Sequence, residues 1–186
     1  MSSITRFLLD RSSETRLEGP APGWNELEQA FRCAARAPDH ALLRPWRYLV
    51  VEGEKRAALG ELFAQACGPD ASDKEREKAR NAPFRAPMVI VGIASPSVHP
   101  KVPEVEQVLS AGSGLMLLSL ALNDAGYGTM WRTGAVAYSE AVKTGLGLAE
   151  TESIVGFLYT GSVAMEKPAV PRPEPGEFVA WWPGDE

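Results

Sequence analysis

The chain has 186 residues, 45% of them hydrophobic, which is enough to bury a core of ordinary size and points to a single domain over residues 1–186. Its 24 acidic side chains outnumber 19 basic ones for a net charge of -5, which argues against a protein that holds nucleic acid by neutralising phosphates along a groove. Cys33 and Cys67 lack CxxC or Cys/His ligand spacing and His40 and His99 form no HxH or HExxH pattern, so no metal site is expected and the cysteines read as buried free thiols of a reducing compartment.

Ile4, Phe7 and Leu8 fall on one face of a short helix that ends near Leu9. That apolar run is too short for a signal-peptide core, and no segment reads as the roughly 18 apolar residues of a membrane span, so a cytoplasmic protein with no membrane partner is expected. Just past this helix, Arg11-Ser12-Ser13-Glu14-Thr15-Arg16 has the cation-plus-hydroxyl makeup of an anion site. After the turn at Pro20-Ala21-Pro22-Gly23, a helix is expected from about Trp24 to Ala35, with Leu27, Ala30, Phe31 and Ala34 at i, i+3, i+4 and i+7. It stops ahead of Pro38, because the residue before a proline disfavours the helical region. The connector that follows, Arg36-Ala37-Pro38-Asp39-His40-Ala41-Leu42-Leu43-Arg44-Pro45-Trp46, gathers two arginines, a histidine, an Asp, two prolines and an indole where an ordinary linker uses small polar residues. Together with the Arg11 to Arg16 run it reads as a cradle for a phosphorylated, planar ligand.

Tyr48-Leu49-Val50-Val51 predicts a buried strand, and a helix follows over about Glu54 to Ala66. Alternating charges from Asp70 to Asn81 predict a solvated helix with i,i+4 pairs. Met88 to Ile93 is a continuous apolar run, the mark of a strand buried on both faces, and Pro96, Pro100 and Pro103 then mark a loop. From about Val105 to Ala125 apolar residues surround the helical wheel, which predicts a central buried helix; Ser110-Ala111-Gly112-Ser113-Gly114 along it suits close contact with a second copy, hence a homodimer. Gly126-Tyr127-Gly128 ends that helix, and Thr129-Met130-Trp131-Arg132 is expected to lead into a turn at Thr133-Gly134. A helix from Ser139 to Leu146 and a last core strand from Ile154 to Tyr159 complete the elements. The tail, punctuated by Pro168, Pro171, Pro173, Pro175 and Pro183, is not expected to be helical, and its Trp181-Trp182 pair is expected to lie along a surface, conceivably that of a partner subunit.

No G-x-S-x-G elbow and no Walker pattern occur, and Gly112-Ser113-Gly114 lies inside a helix rather than at a strand-to-helix turn. What remains is ligand binding by arginines, hydroxyls and aromatic rings in connectors, and here a resemblance emerges. Arg11-Ser12-Ser13 resembles the N-terminal arginine and serine motif of the FMN-dependent nitroreductase family. Arg36-Ala37-Pro38-Asp39-His40 with Arg44-Pro45-Trp46 resembles its second motif, most closely in the YdjA-like subgroup, as do Lys101-Val102-Pro103, Glu106-Gln107, Ser110-Ala111-Gly112, Trp131-Arg132-Thr133-Gly134 and Ile154 to Tyr159 in order and spacing.

The resemblance implies an α+β nitroreductase-like fold with a central mixed sheet flanked by helices, and a homodimer with an extended C-terminal tail and FMN held in clefts at its interface. Carried over by position, it implies that Arg11, Ser12 and Ser13 hold the flavin phosphate and ribityl chain, that Arg36 and His40 come from the partner subunit, and that Trp131, Arg132 and Thr133 line the other flavin face. Ser12 stands where the subgroup often has a second arginine, and Arg44 where it often has Gln. Contacts to NADH or NADPH are implied only for Ala121, Leu122, Asn123, Asp124, Ala125 and Gly126. The implied activity is NAD(P)H-dependent, ping-pong hydride transfer through flavin N5 to a nitroaromatic, quinone or similar acceptor, with no side chain as obligatory acid or base. An FMN storage or delivery protein without donor turnover uses the same residues, and a dehalogenase or flavin-fragmenting enzyme on the same fold would need a larger lid than the Pro96 to Pro103 loop offers. On the residues alone, Arg132 paired with a carboxylate and His40 capping a helix is a further alternative.

Overall fold

The computed structural model describes residues 2–165, 167–168 and 170–182. The contacts group into two compact units, Ser13–Ala164 and a smaller one formed by Met1–Ser12 with Met165–Glu186. In the smaller unit, helix α1 (Ser3–Asp10) begins at Ser2, whose hydroxyl accepts from the Thr5 N–H, and ends at Arg11. The Arg172 guanidinium donates to the Arg11 carbonyl at 3.0 Å, tying the tail to the end of that helix. The described tail has a short 3₁₀ turn at Pro175–Glu177 and no α-helix. Its paired indoles are not covered in a single chain: Trp181 and Trp182 are 81% and 93% exposed.

The larger unit runs β1 (Leu17–Glu18), α2 (Trp24–Ala34), β2 (Trp46–Glu52), α3 (Lys55–Gln65), α4 (Asp73–Arg80), β3 (Met88–Ala94), α5 (Glu104–Asp124), β4 (Gly128–Arg132), α6 (Glu140–Gly145) and β5 (Ser153–Val163). The strands join in the order β1-β5-β3-β2, with β4 also paired to β5. This is the expected α+β sheet flanked by helices, though among the described residues every strand pair within the chain is antiparallel rather than mixed. One sheet face packs Val89, Val91, Phe157 and Tyr159 against α3 and α6, and the other packs Met88, Ile90 and Leu158 against α2 and α5. β3 is buried on both faces along its whole length, as its unbroken apolar run predicts.

Two expectations need correction. β2 is a half-buried edge strand in which only Val51 is buried, because β3 is its one described neighbour. Residues 129–132 do lead into a bend at Gly134, as expected, and in addition form a strand on β5. Both cysteines are free as expected but neither is buried, since Leu27, Ala30 and Ala34 take the inward face of α2 and leave Cys33 on the outside.

α4 is solvated with no buried residue, capped by a Ser72/Glu75 box and cross-linked by Arg80 to Glu77 and to Glu61 of α3. α5 is long and apolar enough to cross a bilayer by length and composition, contrary to the sequence expectation. It instead buries one face, including Gln107, Ser110 and Ser119, against α2 and the sheet. Its outer face stays open, with Val105 and Leu109 62% and 65% exposed.

Candidate functional site

Trp131, Arg132 and Thr133 sit at the end of β4, where a bulge in the neighbouring strand shapes the surroundings. Gly92 faces Gly156 and Ile93 faces Ile154, so Val155 is an extra residue on β5 without a partner on β3. The Val155 carbonyl accepts the Trp131 indole N–H at 3.1 Å. Gly156 leaves room for that ring, since a Cβ there would run into the indole. Trp131 thereby becomes a wall shared by two cavities. One, of about 690 Å³, runs along the outer face of α5 past Leu109, Gly112, Ser113 and Met116 to Tyr138. The other, of about 440 Å³, lies on the Tyr159 side and is lined by Arg85, Arg132, Thr133 and Gly134 over a floor of Phe63, Met130 and Phe157.

Arg132 stacks on Tyr159, with its guanidinium carbon 5.6 Å from the ring centre, and its Nε is buried without a hydrogen-bond partner. Burial pushes the Tyr159 phenol above its usual range, against the opposing pull of Arg132 and Arg85. Among the described residues no carboxylate pairs with Arg132, which removes the ion-pair alternative.

The second cluster is the connector. Ala41, Leu42 and Arg44 all take left-handed backbone angles, φ 64, 55 and 51°, which L-residues adopt only under restraint. The restraint is Asp39, whose carboxylate accepts from the backbone N–H groups of Leu43 and Arg44 at 3.0 and 2.9 Å. Two further bonds dock the connector on α5: Ser110 donates to the Pro38 carbonyl at 2.5 Å, and His40 Nδ1 lies 2.9 Å from Glu106 Oε2. His40 therefore meets a carboxylate rather than capping a helix. It and Arg36 are exposed and line none of the three cavities described in this section. At the far end of the connector, Gly114 makes room for the Tyr48 hydroxyl, which is buried unpartnered; burial pushes that phenol up to about 12.

Arg11 and Ser12 belong to the smaller unit and Ser13 opens the larger one. Ala121 to Gly126 is the last turn of α5 and its end: Leu122 is buried, the Asn123 amide donates to the Tyr127 carbonyl and to Thr129 Oγ1, and Asp124, Ala125 and Gly126 are exposed. A third cavity, of about 580 Å³, lies between the Pro96 to Pro103 loop and the start of β5. Beside it Arg47 forks onto Glu152 with two bonds of 2.6 Å, fastening the start of β5 to β2. The Arg47 fork, aided by the Ala149 N–H, holds the Glu152 carboxyl down at about 2.

Sequence reading missed Arg85, which no motif marks, and Arg172, which stands in the proline-rich tail. Glu106 belongs to a recognised motif, but its partner is visible only once α5 and the connector pack together.

Comparison with known proteins agrees with the fold. The model of the Nitroreductase family matches residues 22–162. The chain is 39% identical over 178 residues to YdjA of Escherichia coli K12, named a candidate NAD(P)H nitroreductase, covering 95% of this chain and 97% of that one. In structure it is similar to a nitroreductase-like family protein of Bacillus cereus, with a TM-score of 0.85, 21% identity and coverage of 99% and 98% of the two chains. It is also similar to the FMN and NADPH-dependent nitroreductase NfnB of Sphigopyxis sp. strain HMH, with a TM-score of 0.74, 20% identity and coverage of 97% and 99%.

Proposed function

The chain belongs to the nitroreductase family, and from that premise we propose that it is an NAD(P)H-dependent FMN oxidoreductase acting on a nitroaromatic, quinone or similar small acceptor. The observation that carries the reading is the end of β4, where a bulge seats an indole between two cavities and a half-buried guanidinium keeps an unpartnered Nε. These residues fit a flat, anionic cofactor. FMN, when bound, supplies hydride acceptance from the nicotinamide and hydride delivery to the acceptor in alternate half-reactions.

The chain's own residues bind and orient. Trp131 offers a flat apolar wall that keeps water from one side of a ring system, and the Thr133 hydroxyl and Gly134 backbone follow it at the cavity mouth. Arg132 supplies positive charge with its Nε buried, which favours an anionic form of the ring. In the connector, Glu106 engages His40 Nδ1 and leaves Nε2 as the ring nitrogen available to a ligand. Arg11, Ser12 and Ser13 are assigned to the phosphate on their motif alone. The nicotinamide is assigned to the same open face as the acceptor and needs no separate fold; within Ala121 to Gly126 the exposed Asp124, Ala125 and Gly126 are the residues open to it.

A second copy of the chain completes the proposal. The outer face of α5 leaves Val105 and Leu109 exposed beside Gly112 and Ser113, an apolar stripe with small residues that suits close approach of another helix. Light scattering on the purified chain should give twice the monomer mass. The protein should be yellow, and anaerobic NADH or NADPH should bleach its flavin absorbance. A colourless protein that ignores added FMN would sink the oxidoreductase reading; flavin bound but unreduced by either donor would make the protein an FMN carrier.

A further inference from the structure

We propose that the cavity on the Tyr159 side of the sheet is an anion site, in which Arg85 and Arg132 together hold a phosphate monoester or carboxylate borne on an apolar or aromatic body. The inference deepens the oxidoreductase reading and rests on it for one residue, because Arg132 belongs to the segment assigned to the flavin.

Charge points to the ligand class. Among the described residues Arg85 and Arg132 are the charged side chains lining this cavity, and no Asp or Glu lines it. In a chain of net charge -5 a purely cationic mouth does not follow from composition. Arg132 is also an exception among its kind. The other half-buried arginines of the larger unit all have acceptors: Arg47 forks onto Glu152, Arg80 pairs with Glu61 and Glu77, and Arg56 and Arg76 donate to backbone carbonyls. Among the described residues Arg132 has only the face of Tyr159, and its buried Nε donates to none of them. A guanidinium withdrawn from water without a counter-charge is costly, and an anion arriving in the cavity removes that cost.

Shape supplies the rest. A volume of about 440 Å³ matches a small organic ligand rather than a lone ion. Phe63, Met130 and Phe157 form an apolar floor, so the ligand presents carbon inward and its anionic group to the arginines at the mouth. Arg85 reaches the cavity from the 3₁₀ turn Ala82–Arg85, which Arg56 fixes through a 2.7 Å bond to the Ala86 carbonyl. Two arginines from separate elements thus converge on one volume, and paired forks of this kind suit the oxygens of phosphate or carboxylate.

Full-length wild type, Arg85→Ala and Arg85→Lys are compared in titrations with FMN and with uncharged riboflavin, and, once loaded with FMN, with benzoate and uncharged benzamide. Circular dichroism melting confirms that each variant is folded. Arg85→Ala should weaken binding of an anionic probe by at least about tenfold while its neutral counterpart binds as before, and Arg85→Lys should recover part of the loss. A loss for FMN but not riboflavin identifies the anion as the cofactor's phosphate and moves that group from the Arg11 to Ser13 motif to this cavity; a loss for benzoate with FMN affinity intact identifies it as a substrate carboxylate and leaves the phosphate with that motif. Wild-type affinity of Arg85→Ala for both anions, or an equal loss for neutral and anionic probes, overturns the anion site and leaves the flavin reading standing. Wild type that takes up no flavin defeats that reading instead, and benzoate against benzamide then tests the cavity alone.

Discussion

Strand β3 buries every one of its residues, whereas in the connector from Arg36 to Trp46 only Ala37 and Pro45 are buried. The strand is held by apolar contact on two faces and by ladders to β2 and β5, with ordinary extended backbone. The connector buries only those two residues, holds three side-chain-bearing residues in left-handed backbone, and is pinned by two polar bonds to Asp39 and one each to Ser110 and Glu106. The first region is built for stability, and the second carries the cations and imidazole assigned to the ligand. Strain is tolerable only where the surrounding scaffold over-determines it.

The sharpest break of this contrast comes from the core. Leu158 is fully buried, opposite Ile90 on one side and Trp131 on the other. Leu158→Ala should cost about 2–5 kcal/mol in urea denaturation, the range for a buried leucine that leaves a cavity. A cost below about 1 kcal/mol would mean that the sheet is not the stability centre.

A smaller effect is expected at the Arg47–Glu152 fork, where polar bonding reaches the edge of the core. Glu152 titrates at about 2 in the folded chain, below its unfolded value. Its contribution is therefore complete above the unfolded carboxyl range and is lost as pH falls through that range toward about 2. Wild type should lose of the order of 2 kcal/mol more than Glu152→Gln between pH 5 and pH 2.5, measured by urea denaturation at each pH. Parallel pH profiles for the two proteins would show that the fork adds nothing.

The same division explains what was legible from sequence. β3 and α2 announce themselves because burial dictates apolar periodicity, and the Arg36 to Trp46 connector stands out by composition alone. β4 does not stand out as a strand because so few residues between glycines carry no clear period, and pairing with β5 is what makes them one. Nothing in the sequence marks Val155 as a bulge, or Ala41, Leu42 and Arg44 as left-handed, since none is Gly or Asn. Arg85 joins Arg132, and Glu106 joins His40, only through tertiary packing. Local chemistry is visible in a sequence; convergence of distant residues is not.

The smallest expected effect is the most discriminating, because its sign differs between the two regions. Leu42 is 76% exposed and held at φ 55°, so glycine there sacrifices little burial and relieves a conformation that costs an L-residue about 1–2 kcal/mol. The gain is offset by roughly 0.5–1 kcal/mol from the greater freedom of glycine in the unfolded chain. Leu42→Gly should therefore leave stability unchanged or raise it by up to about 1.5 kcal/mol, where glycine at a buried β3 position would be strongly destabilising. If the connector preorganises His40 and Arg36 for the ligand, the same change should accelerate flavin loss from the folded protein, because the loop then samples more backbone states. Unchanged stability with faster flavin release separates the two regions by function. A variant destabilised by several kcal/mol would place the connector with β3 in the folding core and erase the contrast.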